Sequence, residues 1–262
     1  MDNVSKTMYI PLYGKAYVSR KGIILSDKKA EEIWYSEGFA LKGRSRSKWL
    51  AYFLAMRAAV FDRFLSQEMD KNKDAVVLHI GCGMDSRICR VGTKGHLWYD
   101  IDLEAVIGQR KKYYQPDEFY RMIPGDAADT GWIKELPQGR DIIMILEGIG
   151  MYLSAEKLRQ LMRRVSEISH SVLMLMDCYT ERGAKATKHK NPINDVGVTE
   201  AYGIDDPLIL EKDTGFRFAG EHEMTPSELV NELKGAERRF FSTMFAGKLS
   251  KSLYRMYEYR YS

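Results

Sequence analysis

The sequence predicts an α/β fold: a doubly wound, mostly parallel sheet with a helical N-terminal extension and a lid inserted after the fifth strand. Three observations predict it. Short apolar runs at 76–80, 97–99, 119–123, 142–146 and 172–176 alternate with helical stretches. That is the texture of buried strands joined by crossover helices. The first run ends in Gly81-Cys82-Gly83, where glycines let the backbone turn sharply and let a ligand lie against bare peptide. The second ends in Asp100 and Asp102, about 20 residues on, where such a sheet sets an acid to accept hydrogen bonds from a ribose.

What the glycine loop lacks narrows the ligand. A dinucleotide site wants a third glycine near the pyrophosphate, and here Ser86 fills that slot. Asp85 sits beside the incoming helix, where it would repel a pyrophosphate. No glycine is followed by Gly-Lys-Ser/Thr at the spacing of a triphosphate cradle. A strand, a GxG turn and a ribose acid without phosphate apparatus suit S-adenosylmethionine. A GxG turn alone is also an ordinary strand end, so the assignment leans on residues elsewhere.

At 262 residues the chain is expected to form one domain. Its parts are a helical extension (1–70), a ligand-binding core (75–178), the lid (179–220) and C-terminal core strands (221–262). The net charge of +4 is small and dispersed along the chain, which argues against a nucleic-acid partner. Three cysteines without a CxxC pair suggest neither a disulfide framework nor a metal site. The N-terminus lacks an apolar signal core. Charge-free apolar stretches such as 49–56 fall short of the ~20 residues a membrane span needs. No membrane partner and a cytoplasmic location are therefore expected.

Within the extension, Ser26 is the expected cap of a helix over 27–36. Residues 47–69 carry a strong helical period, with Trp49, Phe53, Met56, Val60 and Phe64 in one stripe and Leu50, Leu54, Phe61 and Leu65 beside it. Arg57 stands in the second stripe. A guanidinium there needs an anionic partner: either a nearby carboxylate such as Asp62, or the carboxylate of a methionyl group, which arginine can grip bidentately. A helix is expected over 103–114. Asp126 and Ala127 follow the third strand, where an acid can meet an adenine amine or simply make a turn. Glu147 closes the fourth strand, facing the crevice in which such sheets bind ligands. Ser154 caps a helix with Leu158, Leu161, Val165 and Ile168 on its apolar face. Alternation over 253–261 predicts a final strand with tyrosines on both faces.

Several blocks together resemble the leucine carboxyl methyltransferase family. They are Tyr9-Ile10-Pro11-Leu12-Tyr13-Gly14-Lys15, Ala55-Met56-Arg57, His79-Ile80-Gly81-Cys82-Gly83-Met84-Asp85-Ser86-Arg87, Tyr99-Asp100-Ile101-Asp102, Glu147-Gly148-Ile149-Gly150-Met151-Tyr152-Leu153 and Gly203-Ile204-Asp205-Asp206-Pro207. They span nearly the whole chain in the family's order, and the overall texture is nearer its polyketide O-methyltransferase branch. The resemblance implies a class I methyltransferase sheet of seven strands and S-adenosylmethionine as cofactor. It further implies Arg57 and Lys15 at the cofactor's carboxylate, Gly81 in its loop, and Asp102, rather than Asp100, at its ribose. Asp126 and Ala127 would meet adenine, with alanine replacing the family's leucine. Glu147 would lie near the methionyl amino group.

The acceptor expected is an oxygen of a small molecule such as a polyketide-like acid; a protein C-terminal carboxylate is the alternative. A carboxylate needs no general base at neutral pH, whereas a phenol does. No base is evident: His79 reads as a satisfied core residue, while His96, His170 and His189 fall in loops or at helix ends. Tyr152 and His222 are candidates for the acceptor pocket. Two rival readings are a nicotinamide-dependent oxidoreductase and a cofactor-binding regulator without turnover.

Overall fold

The computed structural model describes residues 7–38, 41, 43–187 and 201–262. Its strands are β1 (Val76–Ile80), β2 (Trp98–Asp102), β3 (Tyr120–Pro124), β4 (Arg140–Leu146), β5 (Ser169–Tyr179), β6 (Arg217–Glu221) and β7 (Tyr254–Tyr261). They form one sheet in the order β3-β2-β1-β4-β5-β7-β6. β1 to β5 pair in parallel, and β7 runs antiparallel between β5 and β6. The strand order reverses between β1 and β4, which opens a crevice at their carboxyl ends. Every residue of β1 and the last five of β4 are buried, as parallel strands covered on both faces must be.

Helices α1 (Tyr9–Lys21), α2 (Lys28–Glu37) and α3 (Lys48–Lys71) cover one face, over a core that includes Val77, Trp98, Ile143 and Leu175. On this face α4 (Arg87–Val91) follows the glycine loop and α5 (Glu104–Arg110) follows β2. The opposite face packs Leu78, Ile80 and Met144 against α6 (Ala155–Ser166). Ser154 caps α6 as expected, accepting from the Lys157 amide at 3.3 Å. In α2 the cap is Asp27 rather than Ser26; its carboxylate accepts from the Ala30 amide at 2.8 Å. The helix expected over 103–114 ends earlier, at Arg110. Helix α1 has no counterpart in the sequence reading. Pro11 falls in its first turn, where proline is tolerated. Gly14 lies where α1 crosses α3, so that a Cβ would stand 3.2 Å from the Ala51 Cα.

The C-terminal part departs from expectation. Residues 221–262 were expected as strands, yet between β6 and β7 lie three helices, α8 (Ser227–Val230), α9 (Gly235–Met244) and α10 (Lys248–Lys251), preceded in the chain by α7 (Glu181–Ala186) after β5. Of the expected lid, 188–200 lies outside the described residues. Its described remainder sets Ile204, Leu210 and Phe216 into the core on the α6 face and runs into β6, with the Tyr259 hydroxyl donating to the Pro207 carbonyl at 3.0 Å.

Candidate active site

Two adjoining cavities open at the carboxyl ends of β1, β2, β4 and β5. The first, about 100 Å³, is lined by the glycine loop, Lys15, Arg57, Asp102 and Glu147, and helix α1 closes over it through Met8 and Pro11. Gly81 turns the chain at φ +68°, and a Cβ there would come within 2.1 Å of the Ile149 side chain. Only glycine fits that position. The Gly83 amide donates to Asp102 Oδ2 at 2.7 Å, and the Leu103 amide to Oδ1 at 2.7 Å. Each oxygen keeps a lone pair, and burial pushes the Asp102 carboxyl up to about 6 against the pull of those two amides.

Asp100 does a different job. It receives Arg110 Nε at 2.8 Å, the Trp98 indole at 2.8 Å and the Tyr120 hydroxyl at 2.6 Å. Despite burial, the Arg110 guanidinium holds its carboxyl well below the usual range. Arg110 also reaches the Gly83 and Asp85 carbonyls at 3.1 and 2.6 Å, so this buried pair fixes the glycine loop from beneath. Asp100 is thus taken up by the protein's own donors, whereas Asp102 lines the cavity and accepts only two backbone amides.

A chain of charged groups runs from this point across the crevice. His79 Nε2 accepts from Arg87 Nη1 at 3.1 Å, which leaves the ring proton on Nδ1, 3.2 Å from Asp100 Oδ1. Arg87 Nη2 donates to Glu147 Oε2. Arg57 Nη2 donates to Glu147 Oε1 at 3.0 Å, and Arg57 Nη1 donates to Asp177 Oδ2 at 2.7 Å and to the Tyr254 hydroxyl at 2.8 Å. Burial alone would raise the Glu147 carboxyl; Arg87 and then Arg57 bring it down to about 2. Arg57 Nε is buried and has no hydrogen-bond partner among the described residues.

These contacts revise the expected partner of Arg57. Asp62 instead binds Arg87 Nε and Arg90 Nε, each at 2.6 Å. Glu147 and Asp177 take its place. Asp177 was missed although the signal was present, since it ends an apolar strand run as Glu147 does. Lys15 Nζ lies 2.9 Å from Asp85 Oδ2. Asp85 Oδ1 accepts the Arg87 amide at 2.8 Å, so the chain's own carboxylate fills the start of α4 where a dinucleotide would seat its pyrophosphate.

The remaining expected site residues divide. Tyr152 lines both cavities, and burial pushes its hydroxyl up to about 12. Asp126 is an exposed turn residue accepting the Ala128 amide at 2.8 Å, and neither it nor Ala127 lines either cavity. His222 is corrected: it lies outside both cavities, bonded to Glu258 at 2.8 Å and edge-on to Phe64. Among the described residues no group of His, Cys, Asp and Glu is arranged to hold a metal ion.

The second cavity, about 440 Å³, lies beyond Arg57 and shares Thr7, Pro11, Arg57, Gly148 and Tyr152 with the first. Its walls are Ile10, Leu50, Phe53, Leu54 and Met151, and its roof comes from Met244, Phe245 and Leu249 on and between α9 and α10. Its only titratable lining groups among the described residues are Arg57 and three tyrosines. It has the size and apolarity of a small-molecule site.

The fold and crevice define a class I S-adenosylmethionine-dependent methyltransferase. A family model described as leucine carboxyl methyltransferase matches residues 12–166, more than half the chain, and the protein belongs to that family. It is 25% identical over 241 residues to the tetracenomycin polyketide synthesis O-methyltransferase TcmP of Streptomyces glaucescens, covering 91% of this chain and 89% of that one. It is 27% identical over 183 residues to the S-adenosyl-L-methionine-dependent methyltransferase dpfgK of Gibberella zeae, covering 63% and 61%. Among solved structures, magnesium protoporphyrin IX methyltransferase from Synechocystis with bound S-adenosylhomocysteine has a TM-score of 0.54 at 14% identity, covering 90% of this chain and 93% of that one. An S-adenosylmethionine-dependent methyltransferase from Mesorhizobium loti has a TM-score of 0.53 at 12% identity, covering 75% and 95%. The solved structures speak for the fold.

Proposed function

We propose that this methyltransferase esterifies the carboxylate of a small apolar molecule, such as a polyketide-like acid, held in the larger cavity. The observation that carries the reading is the apolar cavity joined to the cofactor cavity through Arg57. No His, Asp, Glu or Lys lines it among the described residues, so nothing there would deprotonate a phenol, whereas a carboxylate arrives ionised and meets a cation. A protein C-terminus is the second reading, and a cavity of about 440 Å³ walled mostly by apolar side chains favours it less than a small acid. TcmP, similar along most of its length, is named for polyketide synthesis.

The residues fit the cofactor chemically. Lys15 and Arg57 supply cations for a methionyl carboxylate, and Glu147 an anion near its amino group. Asp102 has free lone pairs for ribose hydroxyls, while Gly81 and Gly83 leave peptide bare. Asp126 and Ala127 would meet the adenine from the end of β3, outside the enclosed part. S-adenosylmethionine supplies a methyl group on a sulfonium, already an excellent leaving group. The chain then has to align two bound molecules and keep water out. Arg57 stands where both can be held, and Tyr152 bounds both cavities. The single-domain division also stands as a proposal, with the acceptor roof moved from 179–220 to the segment between β6 and β7. All three cysteines are free, in keeping with a cytoplasmic setting.

The test is turnover with labelled S-adenosylmethionine on matched panels of polycyclic acids, phenols and leucine-ended peptides. A base-labile methyl ester of the polycyclic acids is expected. Methyl ethers, or turnover restricted to peptides, would overturn the reading. Cofactor binding without turnover on any panel would favour a regulator.

A further inference from the structure

The roof of the larger cavity carries an outward surface of its own. Residues 234–251 contain five basic side chains against one acid, an excess equal to the net +4 of the whole chain. The positive charge that looked dispersed in the sequence is gathered on one cap. Lys251 pairs with Glu223. Lys234, Arg238, Arg239 and Lys248 are exposed, and none forms a salt bridge among the described residues. The one acid, Glu237, is taken up by Lys48 at 2.6 Å and the Tyr52 hydroxyl at 2.9 Å.

Apolar side chains are exposed on the same cap: Phe240 at 46%, Met244 at 42% and Leu249 at 44%. Phe240 and Met244, four residues apart, share one face of α9, while Phe241 of that helix is fully buried. Met244 and Leu249 also line the cavity, so side chains that face solvent frame its mouth. A helix with large apolar residues on one side, unpaired lysines and arginines around them and an anchored inner face has the make-up of an element that lies in a membrane interface. Exposed apolar residues grouped this way call for a partner. An acidic protein would use the charge, but the interleaved apolar side chains around an apolar opening favour a bilayer. No helix among the described residues is long and apolar enough to cross a membrane, so the contact is peripheral.

We propose that the α9–α10 cap docks on an anionic membrane surface and that the apolar acceptor enters from the bilayer through the mouth framed by Met244 and Leu249. Docking of the cap uses only its exposed surface and is read by vesicle binding, so failure of the acceptor panels would leave it standing; entry of the acceptor from the bilayer rests on the methyl-transfer reading.

The full chain is sedimented with vesicles of phosphatidylcholine alone and of phosphatidylcholine containing phosphatidylglycerol. Binding to the anionic vesicles at least tenfold tighter than to the neutral ones is expected, weakening steeply with salt. The Arg238→Glu/Arg239→Glu variant, altering two exposed groups outside both cavities, should lose that binding and keep its cofactor affinity. Leu249→Ser should weaken vesicle binding without removing the salt dependence. Equal binding to both vesicles, none to either, or an unaffected charge-reversal variant would overturn the proposal. Retention on immobilised polyglutamate with no vesicle binding would overturn it in favour of an acidic protein.

Discussion

Arg57 Nη1 lies 2.7 Å from Asp177 Oδ2, with both side chains almost wholly buried. Helix α3 therefore delivers its one interior cation to the carboxyl end of β5, and Glu147 at the end of β4 holds the other branch of the guanidinium. Two carboxylates share one arginine, and removing it leaves Asp177 without a cation and Glu147 with Arg87 alone. Arg57→Ala should lower the unfolding free energy by about 3–5 kcal/mol, the range for breaking a buried pair, as measured by urea denaturation. Cofactor affinity by calorimetry should fall about a hundredfold, or nearly 3 kcal/mol. Normal affinity in a folded Arg57→Ala protein would mean that Arg57 serves structure alone. In a double-mutant cycle, adding Asp177→Asn should cost less in that background than in the intact protein.

Asp102 makes a pH prediction whose sign is fixed by its environment. Its ordinary value is about 4, and burial pushes it up to about 6. Ribose hydroxyls donate to the carboxylate, so cofactor affinity should decline as pH falls through 6. Asp102→Asn should bind weakly and show no such step. Stability of the free protein runs the other way. A raised carboxyl favours the protonated folded state, so the burden of the buried charge is absent below about pH 4, grows between 4 and 6 and is complete above. Asp102→Asn keeps one acceptor and loses the other amide's partner, so its absolute stability is not diagnostic; it should lower affinity and abolish the change in stability between pH 4 and 6. A variant that keeps that pH-dependent change would count against this account.

Much of this was legible because parallel strands write themselves as unbroken apolar runs. The five runs read from sequence fall within three residues of β1 to β5 at their ends; strand-end rules point to Glu147 and to Asp100 and Asp102 together, and the family resemblance alone prefers Asp102. Asp177 obeys the same rule less visibly, because β5 continues through Cys178 and Tyr179 and no turn residue follows the acid to mark the strand end. Helix α1 was hidden by Pro11 and Gly14, residues that lower helix propensity and that first-turn placement and close packing against α3 excuse. His222 misled because nothing local says whether a loop imidazole turns toward a cavity or, as here, toward Glu258 on the neighbouring strand. The charge on the cap could not be read from a total, since only folding shows which charges stay unpaired.

Gly81 carries a steric prediction. At φ +68° any side chain is strained, and a Cβ would meet Ile149 at 2.1 Å. Gly81→Ala should lower both the melting temperature and cofactor affinity. Trimming the obstacle, as in Gly81→Ala/Ile149→Ala, should return part of the stability and leave the backbone strain of about 1 kcal/mol or more. No recovery in the pair would show that backbone conformation, rather than the clash, dominates.

The division between the two cavities can be tested by filling one of them. Leu50 lines the larger cavity and not the smaller, and its half-buried position on α3 leaves a larger side chain room to enter the void. Leu50→Trp should take up acceptor volume while leaving Lys15, Asp102 and Glu147 untouched. The acceptor KM should rise at least tenfold, equivalent to about 1.4 kcal/mol, with the cofactor Kd within about twofold of the parent. Bulky acceptors should suffer more than small ones, because lost volume penalises size. If the cofactor Kd moved with the acceptor KM, the two cavities would have to be treated as a single site, and the assignment of the larger one to the acceptor would fail.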